Sequence, residues 1–179
     1  MEINTLFTIG HSTHPIDEFI LLLKENGVTE VADVRTIPKS RHNPQFNSES
    51  LEVSLRDARI GYTRIEKLGG LRHARKDSIN LGWRNVSFRG YADYMATAEF
   101  AEGLDALVRI ARARPTAIMC AEAVPWRCHR SLIADAMSQA GWEVWDIIGS
   151  KPPTEHRLTP FLKVVDGRLT YPAYAEEKL

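Results

Sequence analysis

The fold can be worked out from one segment, Ile118-Met119-Cys120-Ala121-Glu122-Ala123-Val124-Pro125-Trp126-Arg127-Cys128-His129-Arg130, which holds both cysteines, a glutamate, a histidine and two arginines. The apolar run that leads into it, 116–119, predicts a buried strand. The stretch that leads out, 128–140, has apolar residues at helical spacing and predicts a helix. Reactive side chains therefore gather where a strand ends and a helix begins. In an open α/β sheet, ligands bind at that edge.

Similar patterns on either side of this segment extend the prediction to the whole chain. Strands are predicted at 6–9, 28–34, 61–65 and 143–148, and helices at 15–26, 47–58 and 91–112, the last one broken near Thr97. A hairpin is predicted for 161–165 with 169–171 around Asp166-Gly167. The fold class is α/β with three layers: a mostly parallel sheet flanked by helices, with a small C-terminal hairpin. One domain is expected over 1–179, with the proline-rich extension 149–179 packed on it.

Composition narrows the classes of protein that fit. The chain has 179 residues, of which 44% are hydrophobic, and no apolar run approaches the roughly 20 residues needed to cross a membrane. The N-terminal residues lack the basic and apolar regions of a secretory signal. Two cysteines do not make a disulfide framework. We therefore expect a cytoplasmic protein without a membrane partner.

Charge is unevenly spread although the net charge is zero. Residues 35–89 hold twelve Lys/Arg against five Asp/Glu, a balance of +7, and the remainder of the chain balances it at −7. Such a local excess suits an anionic ligand or a nucleic acid. A solvated surface whose charges balance in three dimensions is the alternative interpretation.

The two cysteines allow several interpretations. Cys128 precedes the predicted helix and is flanked by Arg127, His129 and Arg130, a setting that lowers a thiol pKa and favours nucleophilic attack. Simple packing is the alternative, because free cysteines are often buried. A metal site lacks a paired Cys-x-x-Cys signature, and the spacing from Cys120 to Arg127 does not match a thiol-phosphatase loop. A disulfide between the cysteines would need Cα atoms within about 7 Å.

Further polar residues follow the first and second predicted strands. His11 and Ser12 follow the first strand, Asp33 and Arg35 end the second, and Ser40 and Arg41 lie in the next loop. Parallel strands bring these ends to one edge of the sheet, where arginines can hold an anion by forked hydrogen bonds and a histidine can transfer protons. An ion pair between Asp33 and Arg35 and a purely structural His11 are the alternatives.

Together these segments resemble the family called domain of unknown function 488. The resemblance rests on 8–13, on Asp33-Val34-Arg35 through Pro38, Ser40 and Arg41 to Phe46, on Leu68-Gly69-Gly70, on 91–95, and on Cys120-Ala121-Glu122 with Cys128-His129-Arg130. It spans about residues 6–148. Asp146 is a departure, because histidine is common in the family near that position. The resemblance implies one compact domain and no established reaction.

Two functional hypotheses follow from these observations. The first is an enzyme acting on an anionic small molecule or a nucleotide-like group, and the sequence indicates neither a particular cofactor nor a metal. Its catalytic residues would be Cys128, His129, Glu122 and His11, and its substrate-binding residues Ser12, Asp33, Arg35, Ser40, Arg41, Cys120 and Arg130. The alternative is a nucleic-acid-binding module, in which the basic 35–89 region tracks phosphates while Tyr62, Trp83, Phe88 and Tyr91 stack bases. The sequence does not predict an oligomeric state.

Overall fold

The computed structural model describes residues 4–174 and is built on a six-stranded sheet. Its strands are β1 Thr5–Gly10, β2 Glu30–Asp33, β3 Gly61–Arg64, β4 Thr116–Cys120, β5 Glu143–Ile147 and β6 Thr154–Glu155. They lie in the order β3-β2-β4-β1-β5-β6, in which the first five are parallel and β6 is antiparallel to β5. A separate antiparallel hairpin joins β7 Lys163–Val165 to β8 Arg168–Thr170.

Helices cover both faces of the sheet. They are α1 Ile16–Glu25, α2 Ser48–Asp57, α3 Val86–Tyr94, α4 Ala98–Ala113 and α5 Arg130–Gln139. One apolar cluster packs α1 and α2 on the sheet, and a second cluster packs α3, α4 and α5 on the other face. The predicted three-layer α/β class, the mostly parallel sheet and the C-terminal hairpin are confirmed.

Three details differ from the sequence-based prediction. α3 begins at Val86, inside a stretch without clear periodicity, because the Asn85 side chain accepts hydrogen bonds from the N–H groups of Ser87 and Phe88. α5 begins at Arg130 rather than at residue 128, because a 3-10 turn, Pro125–Arg127, precedes it. β6 was not predicted, since two residues are too short to carry a periodic pattern.

The segment after β5 returns to the body of the fold. Tyr171 is fully buried, its backbone N–H donates to Asn80, and its hydroxyl donates to Asp135 on α5 at 2.9 Å. Residues 175–179 of the predicted extension lie outside the described residues. Within 4–174, no helix combines the length and the apolar character needed to span a membrane.

A buried chain of polar contacts joins the sheet to this returning segment. Thr8 on β1 donates to Asp146 on β5 at 2.6 Å, and the His156 ring lies between Asp146 at 3.5 Å and Asp135 at 2.8 Å. Burial alone would lower the pKa of His156, but the hydrogen bonds to Asp135 and Asp146 outweigh it and raise that pKa from 6.5 to about 9. His156 is therefore a buried cation between two carboxylates at neutral pH.

His156→Gln should remove a stabilising contribution that depends on pH. The folded-state pKa lies above the unfolded value, so the contribution is fully present below pH 6.5 and is lost as pH rises through about 9. With roughly 1.4 kcal/mol for each pKa unit, the wild type should lose about 3 kcal/mol more stability than the variant between pH 6 and pH 9.5. Urea unfolding of both proteins across this range measures it. Parallel pH profiles would contradict the charged contact.

Gly10→Ala should destabilise the fold because β1 ends against the loop after β4. A Cβ atom at Gly10 would lie 1.6 Å from the carbonyl oxygen of Glu122 and 2.8 Å from Nη1 of Arg130. Relieving this clash must move backbone, and a loss of at least about 2 kcal/mol in the free energy of unfolding is expected. Gly141→Ala is the control, because open space surrounds Gly141 and only its positive φ of 91° opposes a side chain. Equal losses in the two variants would argue against the close approach.

Candidate functional site

A cavity of about 520 Å³ opens at the carboxyl ends of β1, β2 and β4. These strands are neighbours in the sheet, since β4 lies between β2 and β1. Loops from several elements complete the wall. The lining residues include His11, Arg35, Thr36, Lys39, Ser40, Gly70, Leu71, Asn85, Ser87, Phe88, Tyr91, Cys120, Glu122, Arg127, Cys128 and His129. The cavity therefore lies where polar side chains follow three parallel strands, the position at which open α/β sheets bind ligands.

The Arg130 side chain forms the floor behind the cysteines and is fully buried. Its Nη1 donates to the Cys120 sulfur at 2.7 Å and to the carbonyl oxygen of Glu122 at 2.6 Å, and its Nη2 donates to the carbonyl oxygen of Ala123 at 3.3 Å. Its Nε donates to Thr8 at 3.2 Å. Every terminal nitrogen is therefore engaged by the protein, and the guanidinium holds the loop after β4 against β1.

The pKa values of the two thiols are shifted in opposite directions. Burial alone would raise the pKa of Cys120, but a hydrogen bond from the Cys128 thiol and the charge and hydrogen bond of Arg130 lower it from 9.0 to about 7. Burial and the Cys120 thiol raise the pKa of Cys128 well above its ordinary value. Cys120 is therefore the more acidic of the two thiols, and Cys128 keeps its proton at neutral pH.

His129 is an uncharged neighbour of Cys128. Burial lowers its pKa to about 4. Its Nε2 lies 2.7 Å from the carbonyl oxygen of Val34 and can only donate there, so Nδ1 carries the lone pair. Nδ1 lies 3.5 Å from the Cys128 sulfur and can accept the proton of that thiol. A Cβ atom at Gly70 would lie 3.0 Å from Nδ1, so a glycine at that position lets the loop approach the ring.

His11 is also neutral and is held on the opposite wall. Its ring stacks on Phe46 with centroids 4.3 Å apart, and burial lowers its pKa to about 4. Nδ1 lies 2.9 Å from the carbonyl oxygen of Ser12, so it carries the hydrogen, and Nε2 faces Nη1 of Arg35 at 3.3 Å as an acceptor. The histidine therefore adds no positive charge to the cavity.

Asp33 and Arg35 form a buried, forked ion pair. Nε and Nη2 of Arg35 donate to the two carboxylate oxygens of Asp33 at 2.9 and 2.7 Å, and Nη1 donates to the carbonyl oxygen of Phe46 at 2.8 Å. Tyr62 donates to the same carboxylate at 2.6 Å. These contacts fix the guanidinium in the cavity wall and connect the loop after β2 to the end of the strand.

The side chains at the mouth are more exposed and carry net positive charge. Lys39 and Arg127 line the cavity and are exposed to solvent, and neither forms an ion pair with another residue of 4–174. The Glu122 carboxylate is the one acidic side chain in the lining, and it is exposed as well. Because Asp33 neutralises Arg35, the mouth has two cations against one carboxylate, so an anion would be attracted to it.

The structure distributes the sequence-predicted site residues in three groups. His11, Arg35, Ser40, Cys120, Glu122, Cys128 and His129 line the cavity. Asp33 and Arg130 lie directly behind this wall, paired with lining residues. Ser12 and Arg41 do not line it: Ser12 has a positive φ of 45° in the turn after β1, and Arg41 is exposed on the loop after β2.

Two parts of this site were not predicted from the sequence. The loop between β3 and α3 contributes Gly70, Leu71 and Asn85 to the wall, and the pair Gly69-Gly70 is its one sequence signal. Lys39 was also missed, since one lysine in a basic region carries no distinguishing pattern. Within residues 4–174, no group of three or more His, Cys, Asp or Glu side chains is arranged to hold a metal ion.

The aromatic residues expected to stack bases are packed against the protein. Tyr91 is buried and Tyr62 donates to Asp33. Trp83 stacks on Phe88 and also contacts Phe161 and Tyr171. None of the four predicted stacking residues is exposed, so they do not form an open platform for bases.

Comparisons with known proteins agree with this architecture at the family level. Residues 15–137 match the family model described as Domain of unknown function DUF488. Comparison with curated proteins and with solved structures gave no match. Because the family model covers more than half of the 179 residues, including both cysteines, Arg35 and Arg130, the chain belongs to the family described as domain of unknown function DUF488.

Proposed function

We propose that the protein is an enzyme whose Cys120 thiolate attacks an electrophilic centre on a small anionic substrate. One observation carries the proposal: Nη1 of the buried Arg130 lies 2.7 Å from the Cys120 sulfur, in the wall of a cavity large enough for a small molecule. A thiolate is the reactive form of cysteine, and a fixed cation stabilises it.

This assigns nucleophilic attack to Cys120 and not to Cys128, which the sequence favoured. The sequence places Cys128 among Arg127, His129 and Arg130, but proximity along the chain does not say where their charges point. The guanidinium of Arg130 contacts Cys120, His129 is uncharged, and the Arg127 side chain is exposed. Cys128 then serves as a hydrogen-bond donor that lowers the pKa of Cys120.

Substrate binding falls to the cations at the mouth. Arg130 and Arg35 are engaged by protein atoms, so they fix the thiolate and the wall. Lys39 and Arg127 remain available for a carboxylate, phosphate or sulfate group. Glu122 is the candidate acid–base group, because His11 and His129, with pKa values near 4, are weak bases. A thiol of this kind works in its reduced form, so we propose a reducing compartment such as the cytoplasm.

The nucleic-acid hypothesis receives less support. The region 35–89 is basic, but its aromatic side chains are engaged in packing. Its positive charge favours an anionic small molecule, such as a nucleotide, as the partner.

Alkylation by iodoacetamide tests the nucleophile. Cys120 should be labelled in the native protein with an apparent pKa near 7, and Cys128 should be protected; peptide mass spectrometry after digestion distinguishes them. An ordinary thiol titrates near 8.5. Labelling of Cys128 first, or of neither cysteine without denaturant, would overturn the proposal.

A matched pair of variants isolates the hydrogen bond from Cys128. Cys128→Ala removes the donor and should shift the alkylation midpoint of Cys120 to higher pH, whereas Cys128→Ser retains an O–H donor and should stay closer to the wild type. Identical midpoints in the two variants would show that Arg130 alone sets the acidity.

Comparison of iodoacetate with iodoacetamide tests anion binding, because the two reagents differ in charge and share their chemistry. The rate with iodoacetate divided by the rate with iodoacetamide should be larger for Cys120 than for free cysteine. Lys39→Ala or Arg127→Ala should each lower this ratio by about threefold at low salt, where charges at the mouth are least screened. Arg41→Ala is the control, since Arg41 is exposed and outside the cavity lining. A ratio unchanged by Lys39→Ala and Arg127→Ala would contradict the anionic substrate.

A further inference from the structure

The proposed reaction uses Cys128 as a hydrogen-bond donor and leaves the chemistry of its own sulfur unused. Cys128 lines the same cavity as Cys120, and its sulfur accepts a hydrogen bond from the backbone N–H of Arg130 at 3.4 Å. The Arg130 side chain donates to the Cys120 sulfur at 2.7 Å, so one residue contacts both sulfurs. A lone buried cysteine is ordinarily a packing residue, but two thiols that meet at one residue in a cavity can react with each other.

We propose that Cys120 and Cys128 form a redox pair in which a hydroperoxide oxidises Cys120 and Cys128 resolves the product as an intramolecular disulfide. The inference rests on the proposed function, because it uses the same Cys120 thiolate. It adds a substrate class, the hydroperoxides, and a role for the second cysteine.

The first step follows from the position of Cys120. The thiolate attacks the nearer oxygen of the hydroperoxide, a sulfur–oxygen bond forms, and the O–O bond breaks. Cys120 is oxidised to a sulfenic acid, and the peroxide is reduced to an alcohol, or to water from hydrogen peroxide, after the leaving oxygen takes a proton from solvent. Cys120 and Cys128 are only 2% and 5% exposed, which favours a small oxidant over a bulky disulfide.

The second step uses the neighbours of Cys128. Its sulfur attacks the Cys120 sulfur, a sulfur–sulfur bond forms, and hydroxide leaves from the sulfenic acid. The Cys128 thiol gives its proton to that hydroxide, which completes a molecule of water. Nδ1 of His129 lies 3.5 Å from the Cys128 sulfur and orients the thiol as a hydrogen-bond acceptor, because Nε2 donates to the carbonyl oxygen of Val34 and leaves Nδ1 with its lone pair. A dithiol reductant then reduces the Cys120–Cys128 disulfide to two thiols and is itself oxidised to a disulfide.

The loop between the cysteines does not oppose the bond. Residues 121–127 leave β4, make the 3-10 turn Pro125–Arg127 and bring Cys128 back to the end of the strand that carries Cys120. This path brings both sulfurs into contact with one residue, Arg130, in the reduced protein.

Hydrogen peroxide is the probe for the test. The reduced full-length protein is treated with a small excess at pH 6, and peptides are analysed by mass spectrometry without reduction. The expected product is a peptide pair joined through Cys120 and Cys128, with the loss of two hydrogens. Since the chain has two cysteines, an intramolecular disulfide has one possible connection. The native protein should form it at least about tenfold faster than the protein in urea, where Cys120 has an ordinary thiol pKa.

Two single variants separate the steps. Cys128→Ser should yield a Cys120 sulfenic acid that dimedone traps, followed by sulfinic acid, and no disulfide. Cys120→Ser should leave Cys128 as a free thiol. The inference is overturned if the wild type accumulates Cys120 sulfinic acid while Cys128 stays reduced, if disulfides form between chains, or if Cys128 reacts first.

Alkylation by iodoacetamide distinguishes failure of the redox pair from failure of the proposed function. If Cys120 reacts with iodoacetamide near pH 7 but peroxide gives no disulfide, the redox pair is rejected and the nucleophile stands. If Cys120 is inert to both reagents in the native protein, both proposals fail.

Discussion

The candidate site depends on the burial of one guanidinium. Arg130 begins α5, passes beneath the loop after β4 and contacts Thr8, Cys120 and the carbonyl oxygens of Glu122 and Ala123. A buried charge must be surrounded by acceptors, so this contact set fixes the loop, the first turn of the helix and the adjoining strand together. The same contacts concentrate positive charge at one sulfur, so stability of the loop and acidity of Cys120 have a common origin.

The charge of Arg130 is balanced through a second set of buried groups. Thr8 accepts from Arg130 and donates to Asp146, which in turn faces His156, and His156 contacts Asp135. Two buried cations thus alternate with two buried carboxylates, and Arg130 also contacts the Cys120 sulfur. Asp146 is the residue at which the chain departs from the family pattern, and its partner His156 comes from the segment after β5. Removing one of these charged groups would leave a neighbouring buried charge without a partner. The segment after β5, which supplies His156, therefore contributes to the stability of the site.

Neutral histidines complete the electrostatics of the cavity. His11 is buried and His129 is half-buried, and each has one nitrogen hydrogen-bonded to a carbonyl oxygen. Their low pKa values follow from burial and keep them from competing with Arg130 as partners of the thiolate. The mouth is built differently, since Lys39, Arg127 and Glu122 are exposed and screened by water. The cavity therefore combines a fixed, dry floor with adaptable charges at its entrance.

The sequence alone determined the order of strands and helices, the parallel sheet, the hairpin at Asp166-Gly167 and the edge at which polar residues collect. These follow from local periodicity, turn chemistry and the handedness of strand–helix–strand units, all of which are encoded by neighbouring residues. It also identified seven of the eighteen lining residues, including Cys120, Glu122, Cys128 and His129. Tertiary structure decided which cysteine has the lower pKa. It also decided that Arg130 is buried while Arg41 is exposed. Trp83 packs against other aromatic side chains and is not free to stack on bases. Those outcomes depend on distances between residues far apart in sequence, such as Thr8 and Arg130. Hydrogen bonding and burial across such distances leave no periodic pattern in the chain.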